Sequence, residues 1–329
     1  MAEDAYSHIA ILGAGGWGTA LAATAARAGR RTTLWARDGG LLVDISAGEN
    51  GKYLPGVDLP EDISVTSSLS VAAGAEAIIL AVPAQATRAL LTALTPLLPG
   101  DAPLVIAAKG IEQASGKLLP EVLAEAAPSH PAAILSGPSF AREVALGLPT
   151  AVTIAGAGAG RLQATLSTPS FRPYASEDVT GVALGGAAKN VYAIACGVVE
   201  GLKLGENARA ALLARSFAEL ARLGEALGAR RETLMGLSGL GDLVLSATSR
   251  TSRNFTAGVE LGGGKAPAAL SAPGHALAEG VATAPALVAR ARAAGVEMPI
   301  AEAMADLLAG ALPLEQAVAR LMNRKLTSE

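Results

Sequence analysis

The residues Gly13-Ala14-Gly15-Gly16-Trp17-Gly18 follow an apolar run and open a helical pattern. In that context G-x-G-x-x-G is suited to the pyrophosphate of a dinucleotide. Gly13 makes the tight turn, Gly15 lets backbone approach the anion, and Gly18 lets the helix pack on the strand, while the helix N-terminus supplies N–H groups. At the end of the next apolar run stand Arg37 and Asp38. An arginine there suits the 2′-phosphate of NADP, and an acidic residue suits the ribose 2′-hydroxyl of NAD. Both are present, so NADP or NAD stays open, with a lean toward NADP because Arg37 is nearer the strand end.

Two lysines have apolar surroundings. Lys109 follows Val105-Ile106-Ala107-Ala108, just past a strand's carboxyl end, where doubly wound sheets place ligands. Lys189 lies on a helical pattern with Gly185, Gly186 and Ala193 on its own face. A flat, small-residue face admits a substrate and desolvates an ammonium, the environment wanted for a proton donor or acceptor near neutrality. A surface lysine and a snorkelling lysine are the bland alternatives. In Gly239-Leu240-Gly241-Asp242 the aspartate is placed to orient a lysine or a hydroxyl. Ser252-Arg253-Asn254 offers hydroxyl, guanidinium and amide donors to a phosphate. Taken singly, Asp242 and Ser252 read equally well as helix caps.

The composition removes other chemistries. With 26 basic and 29 acidic residues and 3% aromatics, the chain lacks the basic excess and stacking platforms of a nucleic-acid binder. One cysteine, Cys196, closes no intramolecular disulfide, and His8, His130 and His275 are too scattered for a zinc site; no metal is expected. The uncharged run Ile9–Ala26 has an acidic start, Met1-Ala2-Glu3-Asp4, and glycines in its middle, which argues against a signal peptide or membrane span and for a cytoplasmic protein. A Walker loop fails at Gly110–Lys117, where the glycine spacing is one residue too long and Leu118 follows the lysine. No G-x-S-x-G elbow occurs.

The elements that must position these residues change character along the chain. Apolar runs at His8–Leu12, Arg31–Ala36, Ala77–Val82, Leu104–Ala107, Ala132–Leu135, Ala151–Ile154 and Phe171–Ala175 alternate with helical patterns such as Trp17–Ala28 and Gln85–Leu94. That alternation predicts βαβ units and a parallel sheet. Beyond about residue 180 the pattern is helical. In Ala208–Leu227, Leu213, Phe217, Leu220 and Leu227 share one face, and Arg215, Glu219 and Arg222 can pair on another. The expected fold is α/β: an N-terminal Rossmann-type doubly wound sheet followed by an all-helical C-terminal domain. The division expected is a dinucleotide-binding domain over 1–180 and a helical substrate-binding domain over 181–329.

Gly13–Gly18, Ala107-Ala108-Lys109-Gly110-Ile111-Glu112, Leu135-Ser136-Gly137-Pro138-Ser139-Phe140-Ala141, Lys189-Asn190, Gly239–Asp242 and Ser252–Asn254 together resemble the bacterial NAD(P)-dependent glycerol-3-phosphate dehydrogenases from end to end. The resemblance implies NAD(P)H-dependent, reversible reduction of dihydroxyacetone phosphate to sn-glycerol 3-phosphate, supplying glycerophospholipid synthesis. It implies that Lys189 is the acid/base, joined by Lys109 and Asp242. Lys109, Gly137, Ser139, Lys189, Asp242, Ser252, Arg253 and Asn254 would surround the substrate. Gly13, Gly15, Gly16, Trp17, Gly18, Arg37, Lys109, Ala141, Arg253, Leu277 and Glu279 would hold the cofactor. Two departures stand out: Ser216 where glycine is expected, and Phe255-Thr256 where the family often has arginine. The partner expected is a small molecule, and a homodimer is left open. A β-hydroxyacid or 6-phosphogluconate type dehydrogenase shares the layout, but Ser252–Asn254 and Gly239–Asp242 argue against it. A non-catalytic NADP sensor would not need both Lys189 and Asp242.

Overall fold

A computed structural model describes residues 5–272 and 277–322. Met1–Asp4, Pro273 and His275 lie outside the described residues. The apolar runs of the first half form eight strands: β1 (His8–Leu12), β2 (Arg31–Trp35), β3 (Ile63–Thr66), β4 (Ala77–Leu80), β5 (Leu104–Ile106), β6 (Ala132–Ser136), β7 (Thr150–Gly156) and β8 (Phe171–Ser176). They make one sheet in the order β3-β2-β1-β4-β5-β6-β7-β8. The first six follow the doubly wound Rossmann order. Every neighbouring pair is parallel except β6–β7. The parallel sheet expected from the alternation is therefore broken once. The short segment 137–149 joins these neighbours through a single short helix, Ala141–Ala145. It contains no long crossover of the kind that parallel strands require.

β1 and β4 are buried throughout, as central strands covered on both faces must be. β3 was not foreseen. Four residues at the sheet edge, behind Pro60-Glu61-Asp62, carry too short an alternation to stand out from a turn.

Contacts divide the chain into two compact units, Met1–Lys109 with Leu118–Ala183, and Gly110–Lys117 with Leu184–Glu329. The first unit contains the whole sheet. Apart from Gly110–Lys117, the second unit is built from helices. The 23-residue helix Val179–Gly201 is long and apolar enough to cross a membrane, yet 94% of its most apolar window is buried inside the protein. Its second half packs on helix Arg253–Gly262 backbone to backbone. A Cβ at Gly197 would stand 2.1 Å from the Phe255 carbonyl oxygen, and one at Gly258 2.0 Å from that of Ile194. Only glycine permits this approach, and it sets Asn254 beside Asn190.

Helix Glu206–Ala226 corrects one expectation. Its buried face is Ser216, Glu219, Leu220 and Leu223, while Leu213 and Phe217 are only half-buried. Glu219 does not share the exposed face of Arg215 and Arg222. It is buried and accepts the Ile300 and Ala301 N–H groups at 2.7 and 3.2 Å and the Tyr192 hydroxyl at 3.4 Å. A charged residue at helical spacing is ordinarily solvated; here the open start of helix Pro299–Leu308 supplies orphan donors that draw the carboxylate inward. Ser216 is fully buried with an unpartnered hydroxyl.

Candidate active site

The candidate residues form two groups, one in each unit. In the first unit, β1 delivers Gly13 at φ +115°, and a Cβ there would stand 2.7 Å from the Ala81 carbonyl oxygen, just past β4. A Cβ at Gly18 would stand 1.8 Å from the Gly13 oxygen. The turn is thus wedged between the carboxyl ends of β1 and β4, the point where strand order reverses. Gly15 differs, since a Cβ there would meet nothing within 4 Å. It caps helix Gly16–Arg27, which has no side-chain cap and no acidic residue in its first turn. These features fit a dinucleotide pyrophosphate: open backbone N–H groups, the positive end of a helix dipole, and a cradle that a side chain would fill.

Around that turn, a Cβ at Gly16 would touch Ala141 Cβ at 3.5 Å and Tyr53 O at 3.4 Å. Trp17 is half-buried, with an indole Nε1 that has no hydrogen-bond partner. Past β2, Arg37 and Asp38 separate clearly. The Asp38 carboxylate accepts the Gly40 and Leu41 N–H groups at 3.1 and 3.3 Å, capping helix Gly39–Ser46. Those bonds, the Leu41 one foremost, hold it below the usual carboxylate range. Arg37 is exposed. Two further loops bring Lys109 and Gly137 together: Lys109 Nζ donates to the Gly137 oxygen at 2.8 Å, as does Ser139 Oγ at 2.9 Å. Gly137 sits at φ +144° with a virtual Cβ 2.9 Å from Val152 Cα, so no other residue fits there.

In the second unit, helix Val179–Gly201 presents Lys189, 8% exposed, to Asp242, 1% exposed. Lys189 Nζ lies 2.8 Å from Asp242 Oδ1 and 2.7 Å from Ser246 Oγ. Ser246 Oγ also donates to Asp242 Oδ1 at 3.3 Å. Asp242 is not a helix cap. It opens helix Asp242–Thr248 directly after a π-helical turn, Leu237–Gly241, and π-turns of this kind frequently occur at functional sites. Gly239 makes the turn possible, since a Cβ would stand 1.9 Å from the Leu234 oxygen.

Ser252 does cap a helix, accepting the Phe255 N–H at 3.3 Å. Arg253, the next residue, is exposed. Asn254 Nδ2 donates to Asn190 Oδ1 at 2.8 Å, and its Oδ1 accepts the Gly280 N–H at 2.9 Å. That second bond ties the start of helix Glu279–Ala293 to the Ser252–Asn254 turn, with Glu279 as the first helical residue and Leu277 half-exposed before it. Phe255 is in the core, and Thr256 Oγ1 donates to the Arg250 oxygen. Neither position contributes a cation.

Ser246 was missed, although it stands four residues after Asp242 on a helix, a spacing that places the two on one face. Cys196 is buried, and its thiol is pushed up to about 12 by burial. His8 is bound to Thr33, and His130 to the Ala102 oxygen. Among the described residues no cluster of His, Cys, Asp or Glu is placed to hold a metal ion.

Strand order and the glycine turn at the β1–β4 switch point put the chain in the class of Rossmann-type dinucleotide-binding proteins. Models of the NAD-dependent glycerol-3-phosphate dehydrogenase N-terminus and C-terminus match residues 8–159 and 178–319, and the chain belongs to that family. It is 54% identical over 327 residues to the glycerol-3-phosphate dehydrogenase [NAD(P)+] of Rhodospirillum rubrum, covering 98% of this chain and 94% of that one. Its counterpart from Parvibaculum lavamentivorans is 53% identical over 329 residues, 99% of each chain. The crystal structure of the Coxiella burnetii glycerol-3-phosphate dehydrogenase superposes with a TM-score of 0.92 at 38% identity, covering 98% of this chain and all of that one.

Proposed function

We propose that this chain reduces dihydroxyacetone phosphate to sn-glycerol 3-phosphate, reversibly, with NADPH or NADH. The observation that carries the reading is the buried Lys189–Asp242–Ser246 cluster, in a chain about half identical to enzymes named for that activity. A bound nicotinamide would supply the hydride to the carbonyl carbon. Lys189 donates the proton that converts the resulting alkoxide to a hydroxyl, and the ammonium stabilises that oxygen as charge develops. Asp242 and Ser246 fix the ammonium in position. Lys109, with Gly137 and Ser139, adds a second cation toward the substrate, and Ser252, Arg253 and Asn254 bind its phosphate.

For the cofactor, Gly13, Gly15, Gly16, Trp17 and Gly18 receive the pyrophosphate, and Arg37 the 2′-phosphate of NADP. Lys109, Ala141, Arg253, Leu277 and Glu279 complete the cofactor contacts. Asp38 favours the NADP choice indirectly, because its carboxylate is already engaged as a helix cap. The domains that divide this work are 1–180 and 181–329. The product serves glycerophospholipid synthesis in the cytoplasm, and a homodimer is the assembly to test by sedimentation.

The test compares substrates with and without the phosphate. Dihydroxyacetone phosphate is turned over, and unphosphorylated dihydroxyacetone loses on the order of a thousandfold in kcat/KM, because remote phosphate binding energy is no longer available to the transition state. Equal rates on the two substrates refute the phosphate assignment.

A further inference from the structure

Asn50 lies in the loop after helix Gly39–Ser46, outside every assignment above, and its side chain is wholly buried. Nδ2 donates to the Ala14 carbonyl oxygen at 3.1 Å and to Thr19 Oγ1 at 2.8 Å, while Oδ1 accepts the Tyr53 N–H at 3.2 Å. The Thr19 hydroxyl donates to the same Ala14 oxygen at 3.4 Å. Two buried donors from different parts of the chain therefore converge on one carbonyl inside the glycine-rich turn.

That carbonyl belongs to the peptide joining Ala14 to Gly15. In a planar trans peptide the C=O of one residue and the N–H of the next point in opposite directions. Holding the Ala14 oxygen inward turns the Gly15 N–H outward, at the residue where a Cβ would meet nothing within 4 Å. Among the described residues that N–H has no backbone acceptor. The need for a clamp follows from the flanking sequence. Gly15, which follows that peptide, carries no Cβ to oppose its rotation. A rotated peptide would present a carbonyl oxygen, rather than an N–H, to an anion.

We infer that Asn50, assisted by Thr19, is a positioning residue that aims the Gly15 N–H at the cofactor pyrophosphate. The inference rests on the dinucleotide reading of the first unit and adds the device that keeps its turn competent. The loop carrying Asn50 also reaches the other side of the turn, where the Tyr53 carbonyl oxygen lies 3.4 Å from a Cβ position on Gly16.

The test measures dissociation constants of NADPH and NADH by calorimetry for the wild-type protein, Asn50→Ala and Thr19→Val, together with the unfolding temperature of each protein without cofactor. Asn50→Ala is expected to weaken both cofactors by about 10-fold, as loss of an oriented donor to a charged group does. The factor should be equal for the two, since the pyrophosphate is common to them. Thr19→Val keeps the Asn50–Ala14 bond and the shape of the side chain, and should weaken both by about 3-fold. A merely structural role would lower the unfolding temperature while leaving the constants of the folded protein within about 2-fold of wild type. That result overturns the inference, as does a loss confined to NADPH. If Asn50→Ala does not fold, the Thr19→Val constants decide by the same criteria. Failure of the wild-type protein to bind either cofactor would instead refute the dinucleotide reading.

Discussion

Replacing Lys189 by methionine and Asp242 by asparagine, singly and together, tests the centre of the proposed chemistry. The two side chains are 2.8 Å apart and nearly closed to solvent. At that separation, in the effective dielectric of about 20 suited to protein sites, their attraction is roughly 6 kcal/mol before desolvation is counted. Either single change leaves one buried charge without its partner, at a cost of about 3–5 kcal/mol. The double change removes both charges, so it should cost less than the sum of the singles by about 2–3 kcal/mol, the coupling expected for groups in one hydrogen-bonded network. Denaturant titration of the four proteins reads this directly. On the catalytic side, Lys189→Met should lower kcat by at least ~100-fold, the usual worth of general acid–base catalysis. The double variant should fall little further than Lys189→Met, because Asp242 acts through the lysine. NADPH absorbance with saturating dihydroxyacetone phosphate measures it. Additive stability losses would refute the coupled pair, and a kcat for Lys189→Met within about 3-fold of wild type would move the proton transfer elsewhere.

Three further outcomes follow from the geometry. Arg37→Ala should weaken NADPH by roughly 1–3 kcal/mol and leave NADH nearly unchanged; a parallel loss for NADH in a calorimetric titration would remove Arg37 from the 2′-phosphate. Gly15→Ala should keep the unfolding temperature of the cofactor-free protein while abolishing measurable dinucleotide binding, whereas Gly18→Ala should fail to fold, because its Cβ would overlap the Gly13 oxygen. Burial raises the Glu219 carboxyl to about 7, against smaller opposing contributions from the Ile300, Ala301, Arg222 and Tyr192 groups. The folded state then holds a proton that the unfolded state has released between pH 4.5 and about 7, so Glu219 lowers stability as pH rises through that window. Glu219→Gln should remove up to about 3 kcal/mol of that decline in a series of denaturant titrations, and an unaltered pH profile would contradict the assignment.

The sequence by itself determined the parts whose signals are local. A glycine turn after an apolar run, a lysine past a strand end, and the switch from alternating elements to helices all depend on neighbouring residues, so seven of the eight strands lie within two residues of their expected bounds. The edge strand β3 escaped because four residues carry too little periodicity to separate a strand from a turn. The family likewise was legible, since six motifs kept their order along the chain. What only the tertiary structure decided is which polar groups share an environment. Arg37 and Asp38 both stood as candidates, with a lean toward Arg37, and nothing local marked the Asp38 carboxylate as the cap of the following helix. Glu219 lay beside arginines along its helix, and the orphan N–H groups of a helix 81 residues onward drew it inside. Asn50 had no local mark at all, because the carbonyl that it holds belongs to a turn 36 residues earlier. Hydrogen bonding and desolvation act through space at about 3 Å, and a pattern confined to neighbouring residues does not encode which distant donor will arrive there.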